Sequence, residues 1–146
     1  MKDNVRPIGD LIITLRDSNG NIKEERSVPN LVVTVGKTAI ASRLIGPATA
    51  VMSHMALGLS ATTPAAGNTT LGAESARVVF SATPTAVTNE ITYNAMFGAG
   101  VGTGSIVEAA IFNAVTSGVM LCRTTFAAVN KDVGDSLTIV WKVAIL

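Results

Sequence analysis

From Gly104 to Leu146 apolar and polar positions alternate in three runs. The run closest to the C-terminus places Leu137, Ile139, Trp141, Val143 and Ile145 on one side of a strand, because side chains alternate faces with a period of two. The other side carries Thr138, Val140, Lys142, Ala144 and Leu146, and is only half polar. A strand apolar on one face and partly apolar on the other is expected to be covered on both, part of the second cover being another protein chain. Two further strands precede it, over Ser105–Asn113 and Val119–Phe126, split at Val115-Thr116-Ser117-Gly118. The polar corner Asn130–Asp135 leads into the closing strand.

The earlier part of the chain opens with a hairpin. Asp10–Arg16 reads as a strand and Asp17-Ser18-Asn19-Gly20-Asn21 as a tight turn, Asn-Gly being suited to positive φ. The return strand Ile22–Val28 carries Lys23-Glu24-Glu25-Arg26 in succession, the mark of a protected edge strand. From Leu31 the period changes to that of a helix, with Val35, Ala39, Ile40 and Leu44 on one face. Thr34 is the expected cap and Gly46-Pro47 the stop. Ser53–Ser60 is a strand with Met55, Leu57 and Leu59 inward. A loop over Ala61–Thr70 and a helical turn at Leu71–Ser75 follow. Arg77–Ser81 and Glu90–Phe97 read as strands, and a glycine-rich link over 98–104 leads into the closing third.

Seven or eight short strands at this spacing predict an all-β fold. The expected architecture is a β-sandwich, jelly-roll-like, forming a single domain over 1–146. It has an N-terminal hairpin, an arm over 1–9 and one amphipathic helix over 31–46. A chain of 146 residues is long enough to bury roughly 68–70% of its unfolded surface. It needs no metal or disulfide to fold, and its one cysteine, Cys122, forms no intrachain bridge.

Composition narrows the function. Hydrophobic residues make up 48% and charged residues 14%, against about 25% charged in ordinary domains. The net charge is +1, with no basic run for a nucleic acid to grip. No apolar run reaches the length a bilayer requires, and the first residues lack a signal-peptide core. A surface so poor in charge is expected to associate.

Several motifs suggest chemistry. Gly36-Lys37-Thr38 resembles the end of a phosphate-binding loop, but Leu31 stands where the first glycine belongs. The glycines of 98–104 alternate rather than follow a dinucleotide spacing. His54 is the only histidine and has no metal-ligand partner at useful spacing. Cys122 has no oriented base in the sequence, so a Cys122–His54 pair is not expected. Glu74 and Arg77 can pair across a turn. Glu108 and Arg123 are expected to pair between neighbouring strands. With no catalytic group, no metal and no cofactor in view, an enzyme is not expected. A carbohydrate-binding sandwich is disfavoured by having six aromatic residues (four Phe, one Tyr, one Trp), mostly at inward positions.

The residues do carry a resemblance. Glu108-Ala109-Ala110-Ile111-Phe112-Asn113-Ala114, Gly118–Arg123, Asn130-Lys131 and Asp135–Trp141 resemble a recurrent pattern of tailed-bacteriophage structural proteins, found in head decoration (cement) proteins and in tail-fibre or tail-collar proteins. Upstream, Met55-Ala56-Leu57-Gly58 and Thr69–Arg77 resemble a second block of the same pattern. Ala110 replaces a usual glycine, and Leu59-Ser60 a Thr-Gly pair. The resemblance spans Met55 to Trp141 and implies a virion structural role without catalysis. Because the chain stops after its last strand, without shaft or tip, the expectation is a capsid decoration protein. It would be a homo-oligomer, a trimer, bound to the major capsid protein at the capsid surface after assembly in the host cytoplasm. The alternative is a tail-fibre, tail-collar or baseplate protein. The partner-facing residues expected are Val140, Ala144 and Leu146 on the closing strand and Thr62, Thr63 and Pro64 in the loop, together with the N-terminal arm.

Overall fold

The computed structural model describes residues 4–46 and 49–146. The fold is all-β. Two strands, β1 (Pro7–Arg16) and β2 (Ile22–Val32), precede a short helix, α1 (Thr34–Ser42). Then follow β3 (His54–Gly58), β4 (Glu74–Val79), β5 (Thr85–Val87), β6 (Glu90–Phe97), β7 (Gly104–Phe112), β8 (Met120–Lys131) and β9 (Ser136–Ile145). They form one nine-stranded sheet in the order β4-β3-β7-β8-β2-β1-β9-β6-β5. Every pairing is antiparallel.

The sheet curls because its alternating strands all turn one apolar row to a common interior. Leu11, Ile13 and Leu15 of β1 meet Leu137, Ile139, Trp141 and Val143 of β9. Met55 and Leu57 of β3 and Ile106, Ala109 and Ile111 of β7 complete the same core. Curling leaves a seam where β2 joins β8 through only Leu31↔Arg123 and Val32↔Cys122. Side chains close the rest of that seam. Arg26 donates to the carbonyls of Ala127 and Ala128, and the Thr124 hydroxyl donates to the Pro29 carbonyl at 2.7 Å. On the far side, the Ser81 N–H donates to the Asn94 carbonyl at 2.8 Å. There the Phe80 and Tyr93 rings lie 5.1 Å apart.

A second, smaller core sits outside the β3/β7/β8 part of the sheet. Ala56, Ala110, Phe112 and Met120 project outward there and are covered by Leu71 and Val33. These strands are therefore apolar on both faces.

Several expectations need correction. The arm is shorter than 1–9, since β1 starts at Pro7 and pairs Pro7↔Ile145 with β9; residues 1–3 lie outside the described residues. Proline suits the first residue of a strand, where its missing N–H costs no ladder bond. β2 lies inside the strand order through Leu31 and Val32 alone, while its charged stretch pairs only with β1, as expected of an edge, and its Lys23 reaches Asp135 at 2.7 Å. The helix is shorter than 31–46, because Leu31 and Val32 are drawn into pairing with β8. Its N-cap is Val33 and not Thr34, with no side-chain cap. Leu44 lies beyond the last helical residue and is 86% exposed; Pro47 of the expected stop is outside the described residues. Leu59 is 49% exposed rather than inward, because the register shifts at Leu57/Gly58. No helical turn forms at Leu71–Ser75, where β4 begins at Glu74. Strand β5 completes a hairpin that the sequence pattern missed, and β8 runs on to Lys131.

Candidate functional site

The long loop between β3 and β4 lies against the outside of β7 and β8, and one carboxylate holds it there. Glu108 accepts hydrogen bonds from the backbone N–H groups of Ser60 (3.1 Å), Gly72 (3.0 Å) and Ala73 (2.8 Å). Arg123 donates to the same carboxylate from Nε at 3.2 Å and Nη2 at 2.8 Å. The guanidinium also reaches the loop, donating to Asn68 Oδ1 and the Thr62 carbonyl, each at 2.9 Å. Both side chains are fully buried. Burial alone would raise the Glu108 carboxyl. The N–H groups of Ala73 and Gly72, the guanidinium and the Ser60 N–H outweigh it and hold the carboxyl below its ordinary value. The expected cross-strand pair is present, and it doubles as the anchor of the loop.

Arg77 performs a similar task one strand away. Its guanidinium lies 3.7 Å from the Phe112 ring centroid and pairs with Glu74 at 2.6 Å. It also donates to the carbonyls of Ala114 and Ser117. The β7–β8 connection is thereby fastened to β4. Lys131, buried at the end of β8, donates to the Gly98 carbonyl at 2.9 Å and ties down the glycine-rich link.

The residues with reactive potential are placed for packing. Cys122 is buried in the main core, and burial pushes its thiol above the usual range. His54 shares a 2.7 Å hydrogen bond with the Ser53 hydroxyl; burial, and then the charge of Arg77, lowers its pKa. Gly36 is buried where a Cβ would overlap the Leu121 carbonyl, so it serves close packing of α1 on β8. Lys37 is exposed on that helix. Among the described residues, no group of three or more His, Cys, Asp or Glu side chains is placed to hold a metal ion, and no helix is long and apolar enough to cross a membrane. Tyr93, Phe97, Phe112 and Trp141 are buried.

Two surfaces remain. The first is the outer face of β1, β9 and β6. In-register rungs place Ile8 beside Ala144, and Ile12 beside Val140 and Asn94. Met96 stands beside Thr138 on the next rung. Ile12 is 41% and Met96 55% exposed, and Ile8 is exposed as well. Val140 and Ala144 are half-buried between these neighbours, and Leu146 is exposed. Thr62 and Thr63 are exposed and Pro64 is half-buried, but on the loop over β7 and β8. The structure therefore puts the two groups of expected contact residues on opposite outer faces.

The second surface was not read from the sequence. Val5, Pro7, Ile40, Ala41, Leu44 and Ile145 line a groove of about 230 Å³ beside α1, and Ile45 next to it is 90% exposed. Its signal was the pair Leu44-Ile45, which continues the apolar run after the helical face ends. The chain matches no protein-family model, and comparison with curated proteins and with solved structures returned no match. The functional reading therefore rests on these surfaces and on the residue pattern.

Proposed function

We propose that this protein is a non-enzymatic structural subunit of a bacteriophage virion, a decoration protein that associates with copies of itself and binds the capsid lattice. The observation that carries the reading is the outer face of β1, β9 and β6. Ile8, Ile12 and Met96 are large and exposed there beside half-buried Val140 and Ala144, and the charged Asp10–Lys142 rung separates Ile8 from Ile12. Single exposed apolar side chains are ordinary on a monomer, whereas several on one face with a few charges among them support a contact surface. Permanent interfaces are the more hydrophobic ones, and a shell subunit has to stay bound. The resemblance of the sequence pattern to phage structural proteins supports the setting, and four of its charged residues, Glu74, Arg77, Glu108 and Arg123, serve to hold loops in place.

Cosedimentation with procapsids and with expanded heads of the parent phage tests the reading. Saturation at a fixed number of copies per shell is the expected result. Binding to isolated tails and not to heads would instead support a tail-collar or baseplate subunit. A chain that remains single at high concentration and ignores both particles would refute a structural role.

A further inference from the structure

The outer face of β1 and β9 is built in rungs whose two members differ in a regular way. Ile8 stands beside Ala144, Ile12 beside Val140 and Thr14 beside Thr138, so the larger side chain, where the two differ, belongs to β1. The rung between the two isoleucines pairs Asp10 with Lys142, an acid on β1 and a base on β9. Lys142 reaches Glu90 of β6 at 3.2 Å, both side chains being nearly half exposed. Among the described residues Asp10 stands in no ion pair. The face as a whole is near neutral: Asp10, Glu25 and Glu90 are balanced by Lys142, Arg16 and, at the margin, Arg6. Such a face does not repel a copy of itself, and its central charged rung carries both signs.

We propose that this face docks on the same face of a second copy, about a twofold axis that runs along the strands between β1 and β9. Rotation about that axis sets β1 of each copy on β9 of the other without shifting the rungs. Ile8 then meets Ala144, Ile12 meets Val140, and Asp10 meets Lys142 twice over, large against small and acid against base. An axis across the strands sets β1 on β1 instead. Asp10 then meets Asp10, Ile12 or Thr14, according to where the axis crosses, and none of the three is a base. The curl of the sheet favours the first arrangement as well. Two convex faces touch along a strip, and strands of packed sheets keep within about 30° of one another. The ten residues of β1 and the ten of β9 give a strip about 10 by 34 Å, with Arg16 at its end and Glu25, Glu90 and Met96 along its sides. A contact this narrow belongs to the weak class, under about 1,200 Å² in total, and it is isologous, the same patch serving both copies. The inference rests on the association proposed above and names the surface and symmetry of one contact.

Charge reversal tests it. Asp10→Lys brings two bases together at both charged contacts, and Lys142→Asp brings two acids together. Each variant alone should raise the dimer dissociation constant at least about tenfold. The double variant Asp10→Lys/Lys142→Asp restores opposite charges at both contacts and should dimerise like wild type. An equimolar mixture of the two single variants should recover as well, as a heterodimer, since each supplies the sign that the other lacks. Sedimentation velocity reads all of these, with wild type expected at twice the 15.0 kDa of one chain. Failure of either recovery, or single variants that dimerise as tightly as wild type, overturns the inference. An assembly of three chains, the number expected from the resemblance, has no place for a twofold contact and overturns it too. Asp10 and Lys142 are exposed. Should either reversal melt early, Ile12→Glu takes its place and should leave the chain single; a dimer of that variant as tight as wild type overturns the inference. Wild type that stays single in solution yet saturates heads refutes this contact and leaves capsid binding in place. Wild type that stays single and ignores heads and tails refutes the proposed function with it.

Discussion

Replacing Glu108 with alanine should cost about 3–5 kcal/mol, the usual consequence of breaking one half of a buried ion pair. The structure shows why the value belongs in that range and is not the sum of five lost hydrogen bonds. Without the carboxylate, Arg123 keeps only the neutral acceptors Asn68 Oδ1 and the Thr62 carbonyl. The N–H groups of Ser60, Gly72 and Ala73 lose their acceptor together. Left dry, each unsatisfied N–H would add about 1–3 kcal/mol. The loop can instead lift and admit water, which limits the penalty to the undocking of the loop and of Leu71 from Ala110 and Phe112. At about 2–4 °C per kcal/mol for a chain near this size, the melting point should fall by roughly 10 °C.

Urea unfolding at fixed protein concentration measures the cost, since association adds to apparent stability. Hydrogen exchange at Gly72 and Ala73 reports the loop itself. Both amides should lose protection in Glu108→Ala while the amides of β9 keep theirs. The double variant Glu108→Leu/Arg123→Met separates ion pairing from anchoring. An ordinary buried pair can be replaced by apolar residues at little cost, but here three backbone N–H groups would still lack an acceptor. The double variant should therefore stay about 2 kcal/mol below wild type or more. Full recovery, or a cost under about 1 kcal/mol for Glu108→Ala, would refute the assignment of the carboxylate as the loop anchor.

Three further outcomes are expected. Because the Glu108 carboxyl lies below its unfolded value of about 4.3, its contribution is complete above that pH and drains as acid titrates the folded group. Exchange at Gly72 and Ala73 should accelerate in that acid window in wild type and lose that dependence in Glu108→Gln. The Cys122 thiol, buried and shifted upward, should ignore a disulfide reagent in the native state and react fully once denatured, as a titration of free thiol will show. Gly36→Ala should lower stability by about 1–3 kcal/mol through overpacking, although alanine favours a helix by about 1 kcal/mol. Its Cβ would meet the Leu121 carbonyl, and thermal melting gives the sign.

Much of the β architecture was legible because period-two alternation does not depend on partners. The buried row Leu137, Ile139, Trp141 and Val143 is where the pattern puts it, and β6 has the expected bounds. The pairing of Glu108 with Arg123 was legible as two opposite charges in neighbouring apolar strands. Its grip on the loop was not, because bonds from a carboxylate to N–H groups 35 to 48 residues away leave no pattern in composition or spacing. The run Leu31-Val32-Val33 fits a strand or a helix, and only its pairing with β8 decides. Strand β5 is three residues long and fully exposed, too short for alternation to register.

The small share of charged residues acquires a sharper meaning once their placement is known. Glu24, Glu74, Glu90, Glu108, Asp132 and Asp135 all stand in ion pairs with neighbouring elements or within a strand. Buried Glu108, Arg123 and Lys131 contribute nothing to the charge of the surface. The free charge left to keep copies apart is thus smaller than the 14% of the sequence suggests. A curled sheet that was merely rich in small neutral residues would expose alanine, threonine and glycine. This one also exposes Leu44, Ile45, Ile8, Ile12 and Met96, side chains whose burial is worth about 1.5–3 kcal/mol each. Leaving them uncovered forgoes that stabilisation in the single chain, and a neighbouring subunit that covers them recovers it.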